Sequence, residues 1–248
     1  RASADPGASP RLAEVRDAAG AVVQGFAQIS EALQGRRAEA DRNIAVAVDS
    51  LQAGLDGVAR LNSDITAARA AGRDATALMD QRQAAIDGIA DLVPLRQLER
   101  ANGQVALYTQ TGQVLVDGPA TRLAFSPTPT ITADMSLASG ALGGITVNGT
   151  PIDTTAARGP LAGGRLGALL AERDVHAPTA QAALDQVARD LVERFQAPGL
   201  DPSLAAGAAG LFTDTGGAAF VPGTTPEEGL SARRMLNPAI NPGAGGAP

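Results

Sequence analysis

Residues 9–33 read SPRLAEVRDAAGAVVQGFAQISEAL. Within them Leu12, Val15, Ala19, Val22, Phe26, Ile29 and Leu33 recur at spacings of 3 and 4, three heptads of one apolar seam. Ser9 stands where a helix cap is wanted, and Pro10 falls in the first turn, where its missing N–H costs nothing. A second run, Ile44, Val48, Leu51, Leu55, Val58, Asn62 and Ile65, has the same spacing. Leu33 and Ile44 are 11 residues apart, about three helical turns, so one long helix can carry both runs with a local change of supercoil. A break at the polar Gly35-Arg36-Arg37 is the alternative; the longer helix is the expectation.

Working outward, Gly72 and Asp74 read as a helix stop and the next cap. A helix then runs from about Ala75 to Val93, with Leu78, Arg82, Ile86, Ile89 and Val93 on one side, and Pro94 ends it. Short alternating runs follow, split by Asn102-Gly103, Thr111-Gly112 and Asp117-Gly118: Leu95–Glu99, Gln104–Tyr108 and Gln113–Val116. Thr121–Phe125, Thr130–Ala133 and Ile145–Val147 extend this sheet to five or six strands. After Gly163-Gly164 the seam resumes with Leu166, Leu170, Arg173, Ala177, Ala180, Leu184, Val187 and Leu191, and Pro178 should kink or restart that helix. Residues 198–248 hold ten Gly and seven Pro, so they read as loop or tail on the bundle. The expected class is α+β: a long-helix, coiled-coil-like bundle with a small inserted antiparallel β-domain. Its parts are 1–94 and 161–197 (helical), 95–160 (inserted) and 198–248 (tail).

Composition removes whole classes of chemistry. The 248 residues include 52 Ala but no Cys, no Trp and no Lys, so all 20 basic residues are Arg; there is one His, His176, and one Tyr, Tyr108. That excludes thiol nucleophiles, thiolate metal sites, Schiff-base lysines and a phosphate-loop lysine. A net charge of -6 argues against nucleic acid as a partner. No apolar run approaches the ~20 residues that span a bilayer, and Arg1–Pro10 lacks the apolar core of a secretory signal. Absence of Cys fits the cytoplasm or an exported protein equally.

Several segments together resemble one family, hook-associated protein 1 of the bacterial flagellum (FlgK). They are Leu61-Asn62-Ser63-Asp64-Ile65, the stretch Ala77 to Gln83 around Asp80-Gln81-Arg82, and the hairpin Gly103 to Val116. The fourth is Gly163 to Asp174, which holds Gly164, Leu166, Gly167, Arg173 and Asp174. Leu230–Ile240 is similar to a late stretch of some members. The resemblance implies a structural junction protein at the hook–filament joint, exported without a cleaved signal peptide. It implies hook protein, the adjacent hook-associated protein and a flagellar export chaperone as partners, with self-association in the intact protein. The family's tube-forming terminal segments have no counterpart in the chain, which is therefore expected to be monomeric.

Each suggestive cluster has a structural reading beside the chemical one. The seam reads as private core of the bundle rather than as a surface for other subunits. Asp80-Gln81-Arg82 reads as a helix face fixing a neighbouring loop, rather than an acid–base cluster. His176, near Glu172 and Asp174, has no identifiable nucleophile and reads as solvent-facing. Gly163-Gly164 lacks the spacing and Lys of a phosphate cradle and reads as a turn. No catalytic, cofactor-binding or metal-binding residue is assigned, and no cofactor is expected. The alternatives are a surface or adhesive module with a ligand site on the β-insert, or an enzyme built on His176.

Overall fold

The computed structural model describes residues 9–154, 159–200 and 207–238, with side chains from residue 13 onward. The Ser9 cap, the Leu12 end of the seam and Ile240 lie outside the described atoms. Helix α1 runs without interruption from Ser9 to Ala70, 62 residues. It ends in a Schellman pair: Arg73 N–H bonds the Ala68 carbonyl at 2.9 Å and Gly72 N–H the Arg69 carbonyl at 3.0 Å. Gly72 takes φ +66 there, a conformation that favours glycine. Asp74 accepts from Thr76 N–H at 2.9 Å and opens α2, Thr76–Ala90, which buries Arg82, Ile86 and Ile89.

Two three-stranded sheets follow, where one was expected. Strands β1 (Leu95–Glu99), β2 (Val105–Thr109) and β3 (Val114–Val116) form an antiparallel meander, with Leu95 opposite Thr109 and a bulge between Leu107 and Tyr108. Strands β4 (Leu123–Ala124), β5 (Thr146–Val147) and β6 (Thr150–Pro151) form the second sheet. Its last turn is Asn148-Gly149, both at positive φ as a two-residue hairpin requires. Thr130–Ala133, expected to be a strand, is not one. Pro127 and Pro129 just before it supply no ladder donors, and Thr132 Oγ1 turns back on Asp134 at 2.6 Å instead.

The chain re-enters helix at α3, Gly164–Ala171. Its first N–H groups are met by the end of α2: Arg165 N–H bonds the Asp91 carbonyl and Leu166 N–H the Leu92 carbonyl, both at 3.0 Å. A Cβ on Gly164 would sit 2.5 Å from that Leu92 oxygen, and φ is +59, so the close approach needs glycine. Glu172–His176 form a π-turn, and α4 runs from Ala177 to Phe195 with Pro178 in its first turn. Beyond it lie the strand pair β7 (Phe212–Thr213) and β8 (Met235–Leu236), with α5 (Leu230–Arg233) between them.

Two compact units result. One comprises Arg36–Ile131 and Met135–His176; the other comprises Arg1–Gly35, Thr132–Asp134 and Ala177–Pro248. These divisions differ from the sequence boundaries at 94, 160 and 197, because the short strands bury their apolar side chains on helices. In the first unit Val105, Leu107, Leu115, Leu123 and Ile145 share one core with Ile44, Leu51, Leu55, Ile86, Leu166 and Leu170. In the second, Phe212, Phe220 and Leu230 of the Gly/Pro-rich tail share a core with Ala19, Ala188 and Val192. Three large apolar residues anchor a segment whose composition reads as loop.

Candidate functional site: a buried stripe and its arginine clamps

The inward stripe of α1 runs through Ala19, Val23, Phe26, Ser30, Leu33, Arg37, Ala40, Ile44, Val48, Leu51, Leu55, Val58, Asn62 and Ile65, always 3 or 4 apart. Gly35-Arg36-Arg37 is no break, because Arg37 itself occupies a stripe position and is buried. Ile44, Val48, Leu51, Leu55, Val58 and Ile65 are enclosed, and Phe26 and Leu33 are half-buried. The first heptads require a correction. Val15, Val22 and Ile29 are 43%, 40% and 52% exposed. The inward positions there are Val23 and Ser30, one residue later, because the helix face is set by what it meets and not by hydrophobicity alone.

A second correction falls on α4. Leu166, Leu170, Arg173 and Ala177 are buried as the seam requires, but Ala180 is exposed, Leu184 and Leu191 are half-buried, and Val187 is 58% exposed. The buried positions are Gln181, Asp185, Ala188 and Val192, each one residue on. The π-turn at Glu172–His176 takes one extra residue per turn, and the buried positions after Ala177 are displaced by one place.

Three guanidinium clamps hold loops and helices to this stripe. Arg82 Nη1 donates to Asn62 Oδ1 at 2.9 Å and to the Gly103 carbonyl at 2.6 Å. Asn62 in turn pairs with both backbone groups of Val105. The first hairpin is thereby fixed to α1 and α2. Burial pushes the Arg82 pKa down, assisted by the charge of Arg69. Asp80 and Gln81 point outward, so only Arg82 of that trio reaches the interior.

Arg173 makes the second clamp. It donates to Asp41 at 2.6 Å, to the Gly143 carbonyl at 3.1 Å and twice to Asp174 at 2.8 Å. Arg37 beside it donates to the Arg173 carbonyl at 3.1 Å and the Met135 carbonyl at 2.6 Å, and Asp41 accepts from Thr128 N–H. The long connection between β4 and β5 is thus tied down at Thr128, Met135 and Gly143. Burial alone would lower the Arg173 pKa, but the hydrogen bonds and charges of Asp174 and Asp41 reverse that and raise it.

In the other unit Arg234 stacks on Phe26 at 3.9 Å and near Phe212 at 5.5 Å, donating from Nη1 to the Ala188 carbonyl. Its Nε and Nη2 have no hydrogen-bond partner among the described residues, and burial lowers its pKa to about 10. Beside it, Gln181 accepts from Ser30 and Gln34 and donates to Asp185 and Ser231. Asp185 then accepts from the Gly229 and Ser231 N–H groups. Sequence reading missed Arg37, Asp41, Gln181, Asp185 and Arg234; for Arg37, Gln181 and Asp185 the signal was the recurrence of polar residues at inward helix positions.

His176 is exposed at the end of the π-turn. Among the described residues no group of three His, Asp or Glu is placed to hold a metal ion, and no helix is long and apolar enough to cross a membrane.

Long helices whose polar interior ties backbone to backbone define a structural bundle with inserted sheets. The model of the flagellar hook-associated protein FlgK helical domain matches residues 1–208, and the chain belongs to the FlgK family. A solved structure similar in fold is the flagellar hook junction protein FlgK from Burkholderia pseudomallei, with TM-score 0.69 and 21% identity. The match covers 86% of this chain and 38% of that one. No curated protein matches the chain in sequence.

Proposed function

We propose that the chain is the core of a hook–filament junction protein of the bacterial flagellum, a structural element without catalysis. The observation that carries this is the inward stripe from Ala19 to Ile65 along the 62-residue helix α1 in a member of the FlgK family. A helix of that length, packed along its length and tied by arginines, resists bending and torsion along its own axis. In this reading the partners are hook protein, the adjacent hook-associated protein and further copies of the same protein. The chain reaches the cell exterior through the flagellar export apparatus without a cleaved signal, escorted by an export chaperone.

The test is replacement in a motile bacterium. The helical domain of its junction protein is exchanged for this chain, leaving its own terminal segments in place. Attached filaments and restored swimming are expected. Filaments shed into the medium, with the chimaera folded and exported, would overturn the proposal.

A further inference from the structure

The six asparagines of the chain stand in very different chemical settings. Asn43 and Asn62 lie inside α1, and Asn237 and Asn241 each precede a proline, which has no N–H. The other two, Asn102 and Asn148, are each followed by glycine and are exposed at hairpin turns, between β1 and β2 and between β5 and β6. Both take positive φ, +60 and +50, the left-handed region that asparagine tolerates.

Their side chains are held differently. Asn148 is tethered twice to one residue: its N–H bonds the Arg122 carbonyl at 2.7 Å, and its Oδ1 accepts from Arg122 N–H at 2.9 Å. Any swing of its Cγ toward the Gly149 nitrogen must break that second bond. The Asn102 carboxamide has no hydrogen-bond partner among the described residues and stands in solvent. Its neighbour Gly103 has no Cβ to screen the amide nitrogen. A free carboxamide beside an unscreened amide is an electrophile and a nucleophile on one short tether, with the rate advantage of ring closure.

We propose that Asn102 is a site of spontaneous covalent modification, deamidation through a cyclic imide, whose isoaspartyl product releases the Arg82 clamp on the first hairpin. The Gly103 N–H gives its proton to hydroxide, and the nitrogen forms a bond to Asn102 Cγ. The Cγ–Nδ2 bond breaks, and Nδ2 leaves as ammonia with a proton from water. Water then opens the imide. Attack at Cγ yields aspartate, whereas attack at the main-chain carbonyl yields isoaspartate, with the backbone rerouted through the side chain. Nothing is oxidised or reduced, and water and hydroxide are the only co-reactants. Isoaspartate adds a methylene to the main chain immediately before Gly103. The Gly103 carbonyl is the group that accepts from Arg82 Nη1 at 2.6 Å, and Arg69 lies against the same glycine. The added length carries that acceptor away from Arg82. Aspartate keeps the original length and adds only a charge, beside a glycine that two guanidiniums reach, so the clamp stays closed.

Trypsin separates the two sites, because every basic residue is arginine: Asn102 falls in residues 101–122 and Asn148 in residues 123–158. The folded chain and a urea-unfolded sample are aged at mildly alkaline pH, digested and weighed by mass spectrometry. In the folded chain the first peptide should convert from amide to acid at least about tenfold faster than the second, a gap that closes in urea. Asn102→Gln should stop conversion of the first peptide. The aged isoaspartyl fraction should unfold at lower urea than fresh chain, followed by fluorescence of Tyr108 on β2, whereas Asn102→Asp should unfold close to the original. Equal conversion of the two peptides in the folded chain, an isoaspartyl fraction with an unchanged midpoint, or Asn102→Asp as destabilised as that fraction would each overturn the proposal.

Discussion

Arg173 donates from Nη1 to Asp41 Oδ1 across 2.6 Å, and both side chains are wholly enclosed although 132 residues separate them. The same guanidinium reaches both oxygens of Asp174 and a backbone carbonyl. Only a planar group with five donors can serve that many acceptors at once. The chain has 20 Arg and no Lys, and the three bulkiest fully buried side chains among the described residues, Arg37, Arg173 and Arg234, are all guanidiniums. At Arg37 and Arg173 the guanidinium serves several acceptors at once, a role that an ammonium could not take over.

Arg173→Lys should therefore behave as a disruptive change. One ammonium cannot replace the fork to Asp174 together with the bond to Asp41, so a buried carboxylate loses its partner. The expected loss is on the order of 3 kcal/mol in urea unfolding, with Asp41→Asn similar and the double variant far from additive. An unchanged unfolding midpoint for Arg173→Lys would show that the clamp contributes nothing.

Arg234→Met should do the opposite. Two of its nitrogens are buried without acceptors among the described residues, and what remains is stacking on Phe26 and Phe212 and one bond to Ala188. A methionine keeps the packing and removes the unmet charge, so stability should hold or rise. A fall as large as that of Arg173→Lys would contradict this reading.

The sole tyrosine reports on the first hairpin. Hydrogen bonds from Arg100 and Tyr108 hold the Asp117 carboxyl below its ordinary value, and the bond to Asp117 raises the Tyr108 phenol. A lowered carboxyl contributes stability above its unfolded pKa of about 4 and loses it as pH falls through the folded value. A raised phenol contributes below about 10 and loses it as pH rises through the folded value. Ultraviolet titration should place the Tyr108 midpoint above that of free tyrosine, and Asp117→Ala should bring it back.

The one-residue displacement after the π-turn separates two neighbouring valine sites. Val187→Ser, on the open face, should change stability by no more than about 0.5 kcal/mol. Val192→Ser, inside the core with Phe212 and Phe220, should cost on the order of 2 kcal/mol. Equal effects in thermal or urea unfolding would place the seam back at its sequence-derived phase.

Much of the fold was legible because its signals are local. The heptad spacing that defines α1, the Gly72 stop, the Asn148-Gly149 turn and the Gly163-Gly164 return each act within a few residues. Arg82 and Arg173 were visible as motif residues and Asn62 as a seam position, but nothing local paired Arg82 with Asn62 or singled out Asp41 as the partner of Arg173. Val15, Val22 and Ile29 were read as core for their apolarity, when Val23 and Ser30 face inward. The Thr130–Ala133 strand failed for want of a partner, which local pattern does not supply.

By itself the sequence determined where helices begin and end, because capping, periodicity and proline act through the chain's own backbone. It also determined which reactions are absent from its repertoire, since a chain without Cys or Lys carries neither thiol nor amine side chains. Tertiary structure decided which face of each helix turns inward. That choice depends on a π-turn that shifts phase by one residue and on arginines that find acceptors far away in sequence. Burial is a property of what surrounds a residue, and the surroundings of Arg173 include Asp41 only once the chain has folded.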